Sequence, residues 1–233
     1  AKIAHEHGAV CFTDAVQAAG VLDINVKELG VDMMSMSSHK IYGPKGVGAL
    51  YIRNGLLIDS IITGGHQERM KRGGTTNVPG VVGFAEAFRV AIENREKNNA
   101  HVSALRDKFI KRVLAEVPYV KLNGPADGSK RLPANADFSF KYIEGESILF
   151  SLDLAGIAVS SGSACSSGSL EPSHVLLALG LPEGLAHGSI RFSFGKHNTE
   201  EEVDYAVEVI KSAVERLRKM SPLFKEEEII KEV

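Results

Sequence analysis

A glycine-rich stretch that follows an apolar run constrains the fold of this chain more than any other feature. Residues 33–36 are Met-Met-Ser-Met, and residues 37–46 read Ser-Ser-His-Lys-Ile-Tyr-Gly-Pro-Lys-Gly. This pattern is typical of a buried strand of an α/β sheet that runs into a ligand-binding loop. Lys40 lies where such strands deliver catalytic groups. An amine among apolar and uncharged neighbours loses its proton easily and can form an imine with an aldehyde cofactor, whereas the alternative is an ordinary surface lysine.

A second apolar run predicts a neighbouring strand. Residues 9–13 are Ala-Val-Cys-Phe-Thr, the pattern of a strand buried on both faces, and Asp14 follows directly. The segment between Asp14 and Met33 is long enough for the crossover that a parallel neighbour requires. Asp14 and Gln17 would then lie at the same edge of the sheet as Lys40, although Asp14 could instead cap a helix.

Composition narrows the class of protein. The chain has 233 residues, of which 44% are hydrophobic and 24% charged, with a formal net charge of -2. This balance predicts a soluble globular protein and gives no reason to expect a nucleic-acid partner. No apolar run approaches the roughly 18 to 20 residues that cross a bilayer, so no membrane association is predicted. The two cysteines, Cys11 and Cys165, are far apart in different settings, which favours a reducing, cytoplasmic compartment over a disulfide framework.

A glycine and hydroxyl loop offers a candidate anion site. Residues 72–77 are Arg-Gly-Gly-Thr-Thr-Asn. Glycines leave backbone N–H groups accessible to an anion and a threonine adds a hydroxyl donor, which makes Thr75 a candidate. The alternative is a plain surface loop.

The setting of Cys165 is the most specific feature of the second half of the chain. Residues 160–169 read Ser-Ser-Gly-Ser-Ala-Cys-Ser-Ser-Gly-Ser, a polar run with little to pack against a core. Free cysteine is usually a small buried hydrophobe, so this composition favours a reactive thiol at Cys165. Cys11, within its apolar run, is expected to be a core residue.

Arg191 is the candidate for binding a carboxylate. Residues 189–194 alternate, which places Ile190 and Phe192 on one face of a strand and Arg191 on the other. A guanidinium held on a strand suits bidentate binding of a carboxylate, and a structural ion pair is the equally weighted alternative.

The remaining pattern predicts an α/β fold in two parts. A helical pattern begins at Pro79, and residues 145–154 and the segment that follows Thr199 predict further helices. The second half is expected to be more antiparallel. We therefore predict one domain over residues 1–90 and another over residues 91–233.

The motifs together resemble a known family. Ser-Ser-His-Lys-x-x-Gly-Pro-Lys-Gly is similar to the cofactor-lysine motif of class V aminotransferase-like enzymes. The Ser-Gly-Ser-Ala-Cys loop with the following Ser-Leu-Glu-Pro-Ser-His-Val-Leu resembles that of pyridoxal-phosphate-dependent cysteine desulfurases of the NifS/IscS type. The resemblance covers nearly the whole chain and implies the fold-type-I, aspartate aminotransferase-like α/β architecture. Those enzymes are longer at the N-terminus, so the expectation is a partial large domain followed by a small C-terminal domain.

The resemblance implies a role for each residue of the first half. Lys40 would hold pyridoxal 5'-phosphate as a Schiff base, with His39 in a supporting contact. Asp14 would pair with the protonated pyridine nitrogen, Gln17 would bond the phenolic oxygen, and Ser37 would bond the phosphate.

Three further residues complete the implied site. Thr75 would reach across a homodimer interface to the phosphate of the other subunit, and Arg191 would bind the α-carboxylate of L-cysteine. Cys165 would accept sulfur as a persulfide, releasing L-alanine. The family passes this sulfur to an iron–sulfur scaffold protein, where the Cys165 persulfide would briefly ligate iron as a metal-binding group.

Two alternatives to a cysteine desulfurase remain open. A selenocysteine lyase, or another β-eliminating enzyme with the same cofactor, would retain Lys40, Asp14 and Arg191 without requiring Cys165. A non-catalytic fragment or docking subunit is the other alternative, since family residues that stack on the ring lie before the first residue. In the tail, Leu223 and Phe224 would either dock a scaffold or fold back as a staple on the last helix.

Overall fold

The computed structural model describes residues 1–161 and 172–224. Within it the chain divides into two compact units, of which residues 1–97 form unit 1 and residues 98–233 contain unit 2. Both units combine helices with a sheet, as predicted for an α/β chain. No helix of the described residues is both long and apolar enough to cross a membrane.

Unit 1 is built on a three-stranded sheet. Its elements are α1 (Lys2–Glu6), β1 (Phe12–Asp14), α2 (Val26–Leu29), β2 (Met33–Ser37), a 3₁₀ helix (Ser38–Ile41), β3 (Gly48–Ile52), the helical turn α3 (Gln67–Met70) and α4 (Val78–Glu93). The strand order is β1-β2-β3. The β1 and β2 strands are parallel, as predicted, and β3 runs antiparallel to β2.

Two apolar clusters hold unit 1 together. Met34, in the middle of the sheet, is 1% exposed and packs with Ala15 and Val31. Ile41 of the 3₁₀ helix packs with Ala19 and with Phe84 of α4. The second cluster therefore anchors the segment that carries Lys40.

The predicted burial of β1 on both faces is wrong. Phe12 is 53% exposed, Asp14 is exposed and Thr13 is half-buried, so neither face of β1 is fully covered by the described residues. Cys11, expected in the core, is a half-buried free thiol that packs at the margin of the Met34 cluster.

Unit 2 surrounds an antiparallel sheet of order β4-β5-β7-β6. Its elements are α5 (Arg95–Glu116, which begins in unit 1), β4 (Val120–Leu122), a 3₁₀ turn (Gly128–Lys130), β5 (Asn135–Phe140), α6 (Gly145–Asp153), β6 (Ser160–Ser161), α7 (His174–Ala178), α8 (Glu183–His187), β7 (Ser189–Ser193) and α9 (Glu200–Met220). All pairings in this sheet are antiparallel, as expected for the second half.

Alternation along the strands separates the two faces of this sheet. Phe138, Ile190 and Phe192 point to one face, where Phe109 of α5 lies with its ring 4.8 Å from that of Phe192. The same core takes the inward face of α9, including Val207. The opposite face carries the polar residues of β5 and β7.

The two tail residues behave differently. The Phe224 ring packs against Tyr119 at 6.1 Å and against Tyr142 at 5.7 Å, so this side chain folds back onto unit 2. Leu223 is 69% exposed. Phe224 thus folds back, but the rings that it contacts lie outside the last helix on which the staple was expected, and Leu223 is exposed.

Candidate functional site

The carboxyl ends of β1 and β2 meet at one edge of the unit 1 sheet. Asp14 lies opposite Ser35 in the parallel register. Oδ1 of Asp14 accepts hydrogen bonds from Oγ of Ser35 at 3.0 Å and from the backbone N–H of Val16 at 2.9 Å. These bonds orient an exposed carboxylate at the edge where open α/β sheets bind ligands. Sequence reasoning missed Ser35, whose signal is its polar position within an apolar strand.

Lys40 follows at the same edge. The 3₁₀ helix has three residues per turn, so Ser38 and Ile41 both point inward and are buried, whereas His39 and Lys40 point outward and are exposed. Among the described residues the amine is therefore not enclosed by apolar neighbours, contrary to the expectation. The reason is the phase of the 3₁₀ turn, which the sequence pattern does not reveal.

Ser37 and His39 form a polar pair beside Lys40. Oγ of Ser37 lies 2.9 Å from Nδ1 of His39. Because Ser37 is the last residue of β2 and His39 belongs to the next turn, the bond fixes the direction in which the imidazole leaves the strand. Two candidate residues are thus brought into contact.

Gly43 closes the turn that carries Lys40. Its backbone N–H donates to the carbonyl of Ser38 at 3.0 Å. A Cβ built on Gly43 would lie 2.2 Å from Oγ of Ser38 and 2.9 Å from Cβ of Ala87 on α4. Only glycine fits between the 3₁₀ helix and α4, which explains the glycine of the motif.

The other first-half candidates are exposed. Gln17 lies in the turn after β1, on the carboxyl side of the sheet. Thr75 lies in the segment before α4, and no hydrogen bond between described residues joins it to Asp14 or Lys40. A backbone hydrogen bond fixes this segment beside the chain at residue 62, since the N–H of Gly73 donates to the carbonyl of Ile62 at 2.6 Å.

Arg191 occupies the centre of the polar face of the unit 2 sheet. It is half-buried on β7, opposite Asp137 of β5 on one side and Ser160 of β6 on the other. Sequence reasoning missed Asp137, although its alternation with buried Phe138 and Ala136 was available as a signal.

Cys165 lies outside the described residues. The metal-binding role expected of its persulfide therefore stays a prediction. Within residues 1–161 and 172–224, no group of three or more His, Cys, Asp or Glu side chains could hold a metal ion.

The side chains at the edge of the unit 1 sheet fit pyridoxal phosphate chemically. Asp14 presents an oriented carboxylate for a cationic ring nitrogen, and Lys40 presents an accessible primary amine for an aldehyde. The Ser37 and His39 pair offers further polar groups beside Lys40 in the chain.

Comparison with known proteins places these features in a family. Residues 1–206 match the model of the class-V aminotransferases. The chain is 52% identical over 225 residues to a cysteine desulfurase IscS of Clostridium botulinum strain Hall, covering 97% of this chain and 57% of the relative. It is 53% identical over 230 residues to the cysteine desulfurase IscS of Dictyoglomus turgidum, covering 99% of this chain and 58% of the relative.

A solved structure agrees in fold. The NifS-like protein of Rickettsia africae superposes with a TM-score of 0.82 at 32% identity, over 92% of this chain and 56% of that one. The fold is thus the fold-type-I α/β architecture of enzymes that depend on pyridoxal phosphate. The chain spans little more than half the length of these relatives. With its family model matched over most of its residues and its lysine motif in place, the chain belongs to the class-V aminotransferase family.

Proposed function

We propose that this chain forms part of a pyridoxal-phosphate-dependent cysteine desulfurase, which converts L-cysteine to L-alanine and an enzyme persulfide. The observation that carries the proposal is the convergence of Asp14 with the Ser37–Lys40 segment at the carboxyl edge of two parallel strands. The sequence around Cys165 supports the desulfurase reaction within the wider family.

The residues of unit 1 would hold the cofactor. When bound, pyridoxal phosphate supplies an electron-poor ring that withdraws electrons from the α-carbon of an amino acid. Asp14, oriented by Ser35, would keep the ring nitrogen protonated, Gln17 would bond the ring oxygen, and Ser37 would bond the phosphate. Lys40 would attach the cofactor covalently and, once displaced by substrate, would carry protons on Nζ, with His39 beside it.

The substrate would be bound by Arg191 and attacked by Cys165. The guanidinium of Arg191 would donate hydrogen bonds to the α-carboxylate of L-cysteine. The thiolate of Cys165 would then attack the substrate sulfur, so that an S–S bond forms as the C–S bond breaks. The electron pair stays on the β-carbon, which is protonated to give L-alanine, and the persulfide remains on Cys165.

The wider setting follows from the same proposal. The large-domain part would comprise residues 1–90 and the small domain residues 91–233. The enzyme would be a cytoplasmic homodimer in which Thr75 reaches the phosphate of the other subunit. Its persulfide would supply an iron–sulfur scaffold protein, with transient iron ligation at Cys165.

Replacement of each cysteine tests the desulfurase assignment. Cys165→Ser should retain the visible absorbance of the bound cofactor and lose alanine formation from L-cysteine. The matched control is Cys11→Ser, which removes the half-buried thiol at the base of β1 and should leave turnover in place. Undiminished alanine release by Cys165→Ser with a thiol reductant present would instead indicate a selenocysteine lyase or another β-eliminating enzyme. Absence of cofactor absorbance in the unaltered protein would favour the docking-subunit alternative.

A further inference from the structure

A row of four polar side chains crosses the unit 2 sheet. Asp137 pairs directly with Arg191, and Arg191 pairs with Ser160 on its other side. Asn123, just beyond β4, donates its backbone N–H to the carbonyl of Asp137 at 2.8 Å and so extends the row to the opposite edge. Directly paired residues project to the same face of a sheet, which places a carboxyl group beside the guanidinium of Arg191.

Asp137 is held by Asn123 and makes no ion pair within the part of the chain that the structure describes. Nδ2 of Asn123 donates to Oδ1 of Asp137 at 2.6 Å and to Oγ of Ser139 at 2.8 Å. None of the ion pairs within the described residues includes Asp137 or Arg191. The carboxyl group is therefore near enough to influence the guanidinium but does not occupy its donors.

The burial of Asp137 makes its carboxyl group easier to protonate than an exposed one. Burial raises the pKa of this carboxyl above its ordinary value, against the opposing effects of Asn123, Arg191 and Arg131. These two arginines are the charged groups that act on it, from β7 and from the segment after β4, while Lys121 of β4 lies one pair further along, opposite Ser139. The amide of Asn123 can donate to the ionised acid or, turned over, accept from the protonated one.

A carboxylate bound at Arg191 would shift Asp137 from its ionised towards its protonated form. Two carboxylates that share one cation repel each other, so the less firmly compensated one takes up a proton. Asp137 already lies in a partly desolvated position, whereas a substrate carboxylate would take the donors of the guanidinium directly. Asp137 is thus the group that would be protonated.

We propose that Asp137 is a positioning residue that acts through Arg191, lowering its affinity for a substrate carboxylate and coupling carboxylate binding to uptake of a proton. The proposal rests on the assignment of Arg191 to the carboxylate of the amino acid. The affinity of Arg191 for a substrate carboxylate should then decrease as the pH rises, because the ionised Asp137 competes with the incoming carboxylate for the positive charge of Arg191.

Asp137→Asn tests the proposal, since asparagine keeps the shape and the hydrogen bond to Asn123 while removing the charge. The protein loaded with pyridoxal phosphate is titrated with L-alanine, and the dissociation constant is read from the cofactor's visible absorbance. At neutral pH the variant should bind about three- to tenfold more tightly, the size expected for one nearby charge at an intermediate dielectric. The difference should shrink at mildly acidic pH, and kcat with L-cysteine should not change.

The matched control is Asp153→Asn, the same charge change at an exposed position on α6, which should leave the affinity unaltered. Calorimetry in two buffers of different ionisation enthalpy should also find proton uptake on L-alanine binding in the unaltered protein and less of it in Asp137→Asn.

The outcomes separate this inference from the proposed function. Unchanged or weaker L-alanine binding by Asp137→Asn at neutral pH, together with weakened binding by Arg191→Gln, would overturn the role of Asp137 alone. Unchanged binding by Arg191→Gln would remove the carboxylate site itself and with it the role of Asp137.

Discussion

At the scale of the residue, one buried carboxylate organises the base of the unit 1 sheet. Asp32 is 1% exposed and accepts from the backbone N–H of Cys11 at 2.7 Å. Nε2 of His5 lies 2.8 Å from its Oδ2, and Nε of Arg53 donates to its Oδ1 at 2.6 Å. Asp32 therefore joins α1, the start of β1 and the end of β3, through bonds that satisfy a buried charge.

These bonds predict an acid-sensitive contribution to stability. The N–H of Cys11, followed by His5 and Arg53, lowers the pKa of Asp32 from 3.8 to about 2. Because the folded-state pKa lies below the unfolded one, the stabilisation is complete above 3.8 and is lost as the pH falls towards 2. Asp32→Asn should be less stable at neutral pH and should lose less stability across that acid range, as measured by urea unfolding. The exposed control Asp59→Asn should match the unaltered protein, and an unchanged midpoint for Asp32→Asn would contradict the account.

The sequence singles out a candidate residue where its type is unusual among its neighbours. The positions of Lys40 and Asp14 at the ends of strands, and of Arg191 on the polar face of a strand, follow from local sequence, while their roles stay predictions. Asp32 and Asp137 do not, because their partners are remote in sequence and their burial depends on which strands pair. The exposure of Lys40 depends on the phase of one 3₁₀ turn.

At the scale of the element, the 3₁₀ helix carries Lys40, to which we propose that the cofactor binds. Gly43→Ala would push a Cβ into Ser38 and Ala87, at a cost of about 1 to 3 kcal/mol for overpacking. We expect lower stability and reduced cofactor absorbance, because Lys40 moves with the turn. Gly184→Ala is the matched control, since a Cβ there meets no atom within 4 Å. Full cofactor occupancy in Gly43→Ala would contradict the tight packing.

The start of α9 gives a second prediction. Oγ1 of Thr199 accepts from the backbone N–H of Glu202 at 3.3 Å, and Oε2 of Glu202 accepts from the backbone N–H of Thr199 at 3.1 Å. Thr199→Ala should lower the free energy of unfolding by about 1 kcal/mol, whereas Thr199→Ser should retain most of it. Thermal unfolding of both variants checks this, and equal losses would show that the hydroxyl is not the stabilising group.

Long periodic elements were predictable and sheet edges were not. The capping box and the inward stripe of α9 can be read directly from the sequence, and β7 alternates as expected. The predicted burial of β1 was wrong because an apolar run shows only that a strand has hydrophobic side chains, while the segments that pack over its faces are remote in sequence.

At the scale of the whole molecule, the proposed homodimer would bring Thr75 to the phosphate of the other subunit. Thr75→Ala should then weaken cofactor binding by about 1.5 to 3 kcal/mol, the range for a hydrogen bond to a charged group. The neighbouring Thr76→Ala is the matched control and should bind as the unaltered protein does. Equilibrium dialysis at several protein concentrations checks both, and a monomer that binds the cofactor at full affinity would contradict the role of Thr75.

The central claim is that Lys40 attaches the cofactor, and borohydride reduction followed by peptide mapping tests it most directly. The protein is incubated with pyridoxal phosphate, reduced and digested, and the labelled peptide is identified by mass. Lys45, five residues further along the same motif, serves as an internal comparison. The account predicts label on Lys40, and its loss in Lys40→Ala. Label on Lys45, or undiminished labelling in Lys40→Ala, would contradict it.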